Sequence, residues 1–492
     1  MPRMQIVTDE PCFQNDLGDV IRLFFGEGAA DEDGRDILTH THREENGLWT
    51  DTVRLELEGQ SQLYTLSAPS VTGTPVEVRR YAKRLAKRTA YQALKQATGR
   101  ELPWGSLTGI RPSRLFRQQM ETGLTAEETE RLFRDEFDVS PDRIALVREV
   151  LDTQQGMTDG NPDEMDLYVG IPFCTTRCSY CSFSSGVIGD GHLVEPYLAA
   201  LLSEIGACAA LVREHHLSIR TAYIGGGTPT SLSAAQLERL LRFMHESFPD
   251  LSEWTVEAGR PDTIDRAKLF VMRQFPVTRI SINPQSMNDV TLAAIGRAHS
   301  AADCLRAFEE ARTAGFEDIN MDIITALPGE DLPMFRHTLE VIGRLHPDSL
   351  TVHTLAIKHA SKLHEIRYEQ RTDEMITQMA DEGRALAHRL GMRAYYLYRQ
   401  KYMASNLENV GYARPGKICR YNIDNMEETK GVLALGAGAI SKRLMGHDQR
   451  ILRAPNVSNI ETYISRVNEM VQRKADMLKA KPEGEESHDI IG

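Results

Sequence analysis

The sequence predicts an α/β protein: an open partial barrel of six β/α units, preceded by an α+β domain and followed by a C-terminal extension. Three observations lead there. From Asp166 onward, short β-branched runs alternate with longer segments of helical period, the pattern of repeated βα units on a parallel sheet. The runs number six, too few for a closed eight-stranded barrel. The chain, at 492 residues, is also too long for one core, and the stretches before and after these units differ from them in character.

The six strands are DLYVGI at 166, TAYIG at 221, EWTVEA at 253, TRISI at 278, DINMDII at 318 and SLTVHTL at 349. Helical patterns separate them, among them EPYLAALLSEIGACAALVREHH from Glu195 and SAAQLERLLRFMHESF from Ser233, whose serine is placed to cap the first turn. Ahead of the barrel, residues 27 to 46 are polar and acidic, TVRLELEG and SQLYTLSA read as paired strands, and VEVRRYAKRLAKRTAYQALKQ has helical spacing of Val78, Ala82, Leu85 and Thr89. After about Gln370 come a long helix to Leu390, a tyrosine-rich run and the glycine-rich ALGAGAIS. The expected domains are 1–160 (N-terminal, α+β), 161–370 (barrel) and 371–480 (C-terminal), with a disordered tail at 481–492.

Composition narrows the functional classes. A formal net charge of −13 argues against broad electrostatic binding to nucleic acid or anionic lipid. The basic helix bearing Arg79, Arg80, Lys83, Arg84, Lys87, Arg88 and Lys95 is the local exception, read first as a solvated face and second as an RNA or acidic-partner surface. No apolar run is read as a membrane span and no signal-like stretch follows MPRMQIVTDEPCFQ, so the expected location is the cytoplasm, with no membrane partner. Seven cysteines are too few for a disulfide framework, and Cys12, Cys208, Cys304 and Cys419 are scattered as structural thiols would be.

The remaining three sit together in YVGIPFCTTRCSYCSFSS, where Cys174, Cys178 and Cys181 follow the first barrel strand. A closed zinc site wants four ligands; His192 could supply the fourth, but three thiolates in one loop better suit an iron–sulfur cluster with one iron left open. Other distinctive residues also fall at strand ends, where parallel βα barrels carry their chemistry: GGGTPT (Gly225 to Thr230), Glu257, Gln285 and Asp322. Gly225, Gly226 and Gly227 let backbone approach a ligand closely, Glu257 suits an amine or a ribose diol, and the planar fork of Arg297 suits a carboxylate.

The CxxxCxxC spacing, with Tyr180 before its last cysteine, resembles the radical S-adenosylmethionine superfamily. The resemblance implies that Cys174, Cys178 and Cys181 hold a 4Fe-4S cluster whose open iron takes the amino and carboxylate groups of S-adenosylmethionine, which one electron cleaves to a deoxyadenosyl radical. In order, YVGIPFC, GGGTPT, VEAGRPDTI, INPQSM, IGRAHS and NMDIITALPGE resemble the motifs of oxygen-independent coproporphyrinogen III dehydrogenases. PWGSLTGIRPSRL at 103 and YYLYRQKYMASNLENVGYA are similar to the HemZ-type subgroup. The implied fold is a partial (β/α)6 radical-SAM barrel.

The implied reaction is oxidative decarboxylation of coproporphyrinogen III to protoporphyrinogen IX in porphyrin biosynthesis, with a flavodoxin or ferredoxin-type electron donor. By motif, Tyr168, Gly225, Gly226, Thr228 and Glu257, with Ile440, match contacts to the cluster-bound S-adenosylmethionine. Tyr180, Gln285, Arg297, Asp322 and Ala356 match contacts to a second molecule of it, so one or two are expected. Two positions depart from the pattern: Phe183 replaces a fourth cysteine, and Gly170 replaces a histidine. The first departure is shared with HemW-type haem chaperones, making a haem-binding protein the alternative, with His299, His353 and His359 as candidate ligands. A radical RNA-modifying enzyme using the basic helix is the third reading.

Overall fold

The computed structural model describes residues 2–26, 28–158, 161, 163–183, 185–358, 361–365, 371–401, 403–445 and 450–480. The expected disordered tail and His359 lie outside these residues. The chain forms two compact units, one of residues 1–148 with 399–408 and one of residues 149–398 with 409–492.

In the first unit β1 (Met4–Thr8) runs parallel to β2 (Asp36–Glu45), and β3 (Leu48–Leu57) and β4 (Gln60–Pro69) follow antiparallel, in the order β1-β2-β3-β4. The expected pair of strands is thus half of a four-stranded sheet. Strand β2 runs through text that composition marks as polar because its charged end, Arg43 to Glu45, is less buried than Leu38 and His40. Helices α1 (Gln14–Phe25) and α2 (Pro75–Thr98) pack with the sheet, giving a core that includes Leu17, Ile21, Leu38, Val53, Leu85 and Tyr91. Thr74 and Glu77 form a capping box at the start of α2, and Gly99, at φ +65°, ends it in the left-handed conformation. A distant segment completes the unit: the Trp104 indole donates to Glu408 at 2.8 Å, Arg143 lies 3.2 Å from the same carboxylate, and the Arg399 guanidinium stands 5.4 Å over the Trp104 ring.

All six predicted barrel strands are present in the second unit, as β5 (Glu164–Ile171), β6 (Ser218–Gly226), β7 (Glu253–Gly259), β8 (Arg279–Ile282), β9 (Ile319–Thr325) and β10 (Ser349–Thr354). They are adjacent in chain order and parallel throughout. Helices α3 (Val194–Glu214), α4 (Ala234–Ser247), α5 (Arg266–Arg273), α6 (Ala301–Thr313) and α7 (Leu332–Leu345) supply the crossovers, and Ser233 caps α4 as its sequence indicates.

Residues beyond 370 widen the same sheet at both edges. After α8 (Asp373–Arg389), β11 (Arg393–Tyr398) and β12 (Asn409–Ala413) extend it beyond β10 in antiparallel fashion. After α9 (Arg420–Glu427), β13 (Gly431–Leu435) pairs parallel with β5, a seventh parallel strand, and the antiparallel β14 (Ile440–Met445) and β15 (Arg450–Pro455) follow.

Helix α3 is long and apolar enough to cross a membrane by length and composition, contrary to the reading that no run qualifies. Its Leu198, Leu201, Ile205 and Cys208 are buried inside the unit. Also buried on α3 is Glu204, whose carboxylate takes Lys474 of α10 (Val467–Lys479) and Asn456 at 2.8 Å each, the Tyr463 hydroxyl at 2.6 Å and the Gly436 amide at 2.8 Å.

Candidate functional site

Leaving β5, residues Phe173 and Cys174 pair with Gly186 and Val187, which closes the cysteine loop on itself. The loop is tied to the barrel from two sides: the Ser179 amide donates to the Ile295 carbonyl at 2.9 Å and the Leu363 amide to the Ser179 carbonyl at 3.1 Å. Cys178 is buried, and Cys174 and Cys181 are half-buried free thiols. Burial pushes the Cys181 thiol up; a hydrogen bond with the Phe183 backbone opposes the rise, and neighbouring Cys178 and Cys174 add to it.

Two donors face the sulfurs. Thr228, 1% exposed after β6, donates to Cys174 Sγ at 3.5 Å, and Arg260, 4% exposed after β7, approaches Cys178 Sγ at 3.8 Å. Arg260 also donates to the Thr176 carbonyl at 2.9 Å and hydroxyl at 2.8 Å. Sequence reasoning overlooked Arg260, although it stands inside VEAGRPDTI directly after a barrel strand. His192, the candidate fourth ligand, is exposed and bonded to Asp190, and among the described residues no three His, Cys, Asp or Glu side chains form a single-ion group. Three thiols with two fixed donors on one loop fit a multi-iron cluster better than one zinc.

The glycines of GGGTPT serve the protein as much as any ligand. A β-carbon on Gly227 would lie 2.6 Å from the Phe173 carbonyl oxygen, and one on Gly225 would lie 2.7 Å from Glu257 Oε2. Their bareness lets β6 pass close under the cysteine loop and beside the carboxylate.

Glu257 itself accepts from the Gly226 amide and the Tyr223 hydroxyl, and burial, reinforced by the charge of Asp322, pushes its carboxyl up to about 7. Asp322 moves the other way: burial would raise it, but His353, Asn320 and Thr351 hydrogen-bond it and hold it below the usual range. Gln285, held at φ +66°, donates its amide to the Asp322 carbonyl at 3.0 Å. Arg297 reaches the Tyr180 hydroxyl at 3.0 Å and the Asn283 carbonyl at 3.1 Å. Tyr168 stacks with Tyr223 and Tyr421, ring centres 6.5 Å away in each case. Ala356 is half-buried two residues beyond β10, and Ile440, 46% exposed, opens β14.

The structure therefore gathers the three cysteines with Thr228, and Tyr168, Gly225, Gly226 and Glu257 with Asp322, Gln285, Tyr180 and Arg297. Several buried polar atoms there have no protein partner: Asn283 Oδ1, Gln285 Oε1 and Arg297 Nε. Two amide oxygens and one guanidinium N–H left open beside a carboxylate fit a ligand carrying amine, hydroxyl and carboxylate groups, as S-adenosylmethionine does.

The radical SAM superfamily pattern matches residues 168–342, and a cysteine loop at the carboxyl ends of a partial parallel barrel is the site of a radical SAM protein. The chain is 39% identical over 399 residues to the oxygen-independent coproporphyrinogen-III oxidase-like protein HemZ of Bacillus subtilis, covering 79% of this chain and 80% of that protein. By this the chain belongs to the HemZ-type subgroup of the oxygen-independent coproporphyrinogen III dehydrogenase family. It is also 36% identical to the heme chaperone HemW of the same organism over 194 residues, 39% of this chain and 50% of that one. The solved coproporphyrinogen III oxidase HemN from Escherichia coli shares the fold, with a TM-score of 0.51 and 24% identity over 64% of this chain and 72% of that chain. Family membership implies a 4Fe-4S cluster and S-adenosylmethionine as cofactors.

Proposed function

We propose that the protein carries out oxygen-independent oxidative decarboxylation of coproporphyrinogen III to protoporphyrinogen IX. The observation that carries this reading is the set of unpartnered buried polar atoms at the strand ends beside the three-thiol loop. When bound, the cluster and S-adenosylmethionine supply one-electron chemistry able to remove a hydrogen atom from an unactivated carbon. The chain's part is to bind, orient and exclude water.

Cys174, Cys178 and Cys181 hold the cluster, with Thr228 and Arg260 donating toward their sulfurs. Glu257, Tyr168, Gly225, Gly226 and Ile440 bind one S-adenosylmethionine, Glu257 as the carboxylate that takes its amine or ribose. Tyr180, Gln285, Arg297, Asp322 and Ala356 receive a second. A cytoplasmic flavodoxin or ferredoxin-type protein is the proposed electron donor.

A second reading has its own support. Phe183 occupies the place of the fourth cysteine and is 69% exposed, and several relatives are named heme chaperones. In that reading the protein binds and hands over haem without turnover. Of its candidate ligands, His299 is 4% exposed beside Asp262, whereas the His353 side chain, 25% exposed, stands at Asp322.

An anaerobic assay with reconstituted protein, S-adenosylmethionine, reductant and coproporphyrinogen III separates the two. Protoporphyrin with matched 5′-deoxyadenosine is the expected outcome. Absence of protoporphyrin together with saturable haem binding replaces the dehydrogenase by the chaperone.

A further inference from the structure

The basic helix α2 is unused by the chemistry above, yet it lines a cavity within the first unit. The cavity holds about 160 Å3, near the volume that admits a benzene-sized molecule. Polar lining comes from Arg80, Arg84 and Lys87 of α2 with Ser106, Thr108 and Arg111 of the 106–111 loop. Apolar lining comes from Leu107, Leu115 and Phe137.

The acids near α2 are shared with other cations. Asp16 pairs with Lys83 at 2.7 Å and reaches Lys87 only at 3.7 Å, and Glu136 is taken by Arg88 at 2.9 Å. Among the described residues no carboxylate pairs with Arg80 or Arg84. The Arg84 guanidinium is instead held over the Tyr81 and Phe137 rings, 5.1 and 5.2 Å from their centres. Burial lowers both Arg84 and Lys87 from their ordinary range, opposed by the charge of Glu136 at Arg84 and of Asp16 and Asp19 at Lys87.

The facing wall is rigid before any ligand arrives. The Ser106 amide donates to the Phe137 carbonyl at 2.8 Å, the Leu107 amide to Trp104 at 3.1 Å, and the Lys87 ammonium to the Thr108 hydroxyl at 3.1 Å. The Arg399 guanidinium donates to the Leu107 carbonyl from behind. Gly105 must be bare, since a β-carbon there would lie 1.9 Å from the Phe137 carbonyl oxygen. Forked guanidinium donors, an ammonium and the Thr108 hydroxyl around one space match the several acceptor oxygens and double charge of a phosphoryl group better than a single carboxylate, while the Ser106 hydroxyl donates to the Phe137 carbonyl at 3.3 Å.

We propose that this cavity binds the phosphoryl group of a small phosphate ester, with Arg80, Arg84 and Lys87 of α2 on the phosphoryl oxygens and Leu107, Leu115 and Phe137 on the organic part. The proposal stands apart from the radical chemistry of the second unit. Its test is calorimetric titration of the purified full chain with phenyl phosphate, inorganic phosphate and, as the uncharged control, phenol. Saturable one-site binding of phenyl phosphate is expected, displaced by inorganic phosphate in excess, with each of Arg84→Gln and Arg80→Gln weakening it about tenfold. Arg79→Gln, on an exposed position of the same helix outside the cavity lining, should leave the affinity unchanged. No saturable binding, binding of phenol as tight as that of its phosphate, or equal loss in all three variants overturns the proposal. Binding of inorganic phosphate as tight as that of phenyl phosphate reassigns the cavity to the free ion and overturns the ester.

Discussion

Two buried polar clusters in the second unit are assembled on opposite terms. Around Glu204 each carboxylate oxygen has partners, and the Lys474 ammonium also reaches Asn456 at 2.6 Å and the Met470 carbonyl at 3.3 Å. Around the cysteine loop, Asn283, Gln285 and Arg297 each keep a buried polar atom without a protein partner, and burial, reinforced by the charge of Asp322, drives Glu257 toward its neutral form. An unsatisfied buried polar group costs about 1–3 kcal/mol. A chain that saturates one cluster and leaves the other open has built a lock in the first place and a receptacle in the second.

The sharpest way to break that contrast is at the thiols. Changing Cys174, Cys178 and Cys181 together to alanine should abolish the visible iron–sulfur absorption of anaerobically reconstituted protein while leaving its far-ultraviolet circular dichroism in place. A full cluster in that variant would sink the site.

Next in size is the lock. Lys474→Met leaves the Glu204 carboxylate buried with its cation gone, and should cost about 3–5 kcal/mol in denaturant unfolding. The residual native protein should still bind S-adenosylmethionine, because none of the Glu204 partners is among the residues assigned to that ligand; loss of affinity as large as the loss of stability would merge the two clusters into one system.

Glu257→Gln tests the opposite side. The native carboxyl is raised to about 7 from a usual value near 4.5, so below about 7 it is neutral in the fold, and the stability of the ligand-free chain falls as pH rises from 4.5 through 7. The glutamine variant escapes this, and should gain on the order of 2 kcal/mol relative to the parent between pH 5 and pH 8 while binding S-adenosylmethionine about tenfold more weakly. A variant that is less stable at pH 8 would make Glu257 part of the scaffold. The smallest effect is expected at Phe183: with its side chain largely in solvent, Phe183→Cys should move stability by about 0.5 kcal/mol or less and leave the cluster absorption unchanged, so that any change in protoporphyrin yield reports on the missing thiol alone.

Local signals carried the barrel. Its six parallel strands are rich in Val, Ile and Thr and bounded by turns, and each was legible where β5 to β10 stand. Strand β13, GVLAL, was not: it is short, weak in β-branched residues and attached to a glycine-rich turn, and its parallel pairing with β5 depends on a partner far away in sequence. In the sequence, a spacing marked the cysteines and strand ends marked Glu257, Gln285 and Asp322, whereas Arg297, after a short helix, was marked only by the resemblance of IGRAHS to a family motif. Arg260 was missed because its task, bracing Thr176 and approaching Cys178, is a tertiary contact with no local pattern. Gly227 was read as room for a ligand, whereas the space is filled by the carbonyl of Phe173.

The segment Arg399–Glu408, which bonds Trp104 and backs the phosphoryl cavity's wall, imposes an order on synthesis. The first unit leaves the ribosome lacking it and must wait for about 250 further residues, roughly 10–50 seconds at ~5–20 residues per second, before Glu408 can reach the indole. Until then the Trp104 ring and the Arg143 side chain have no native cover from that segment, and a nascent chain stalled in between offers chaperones a binding site that the finished protein conceals.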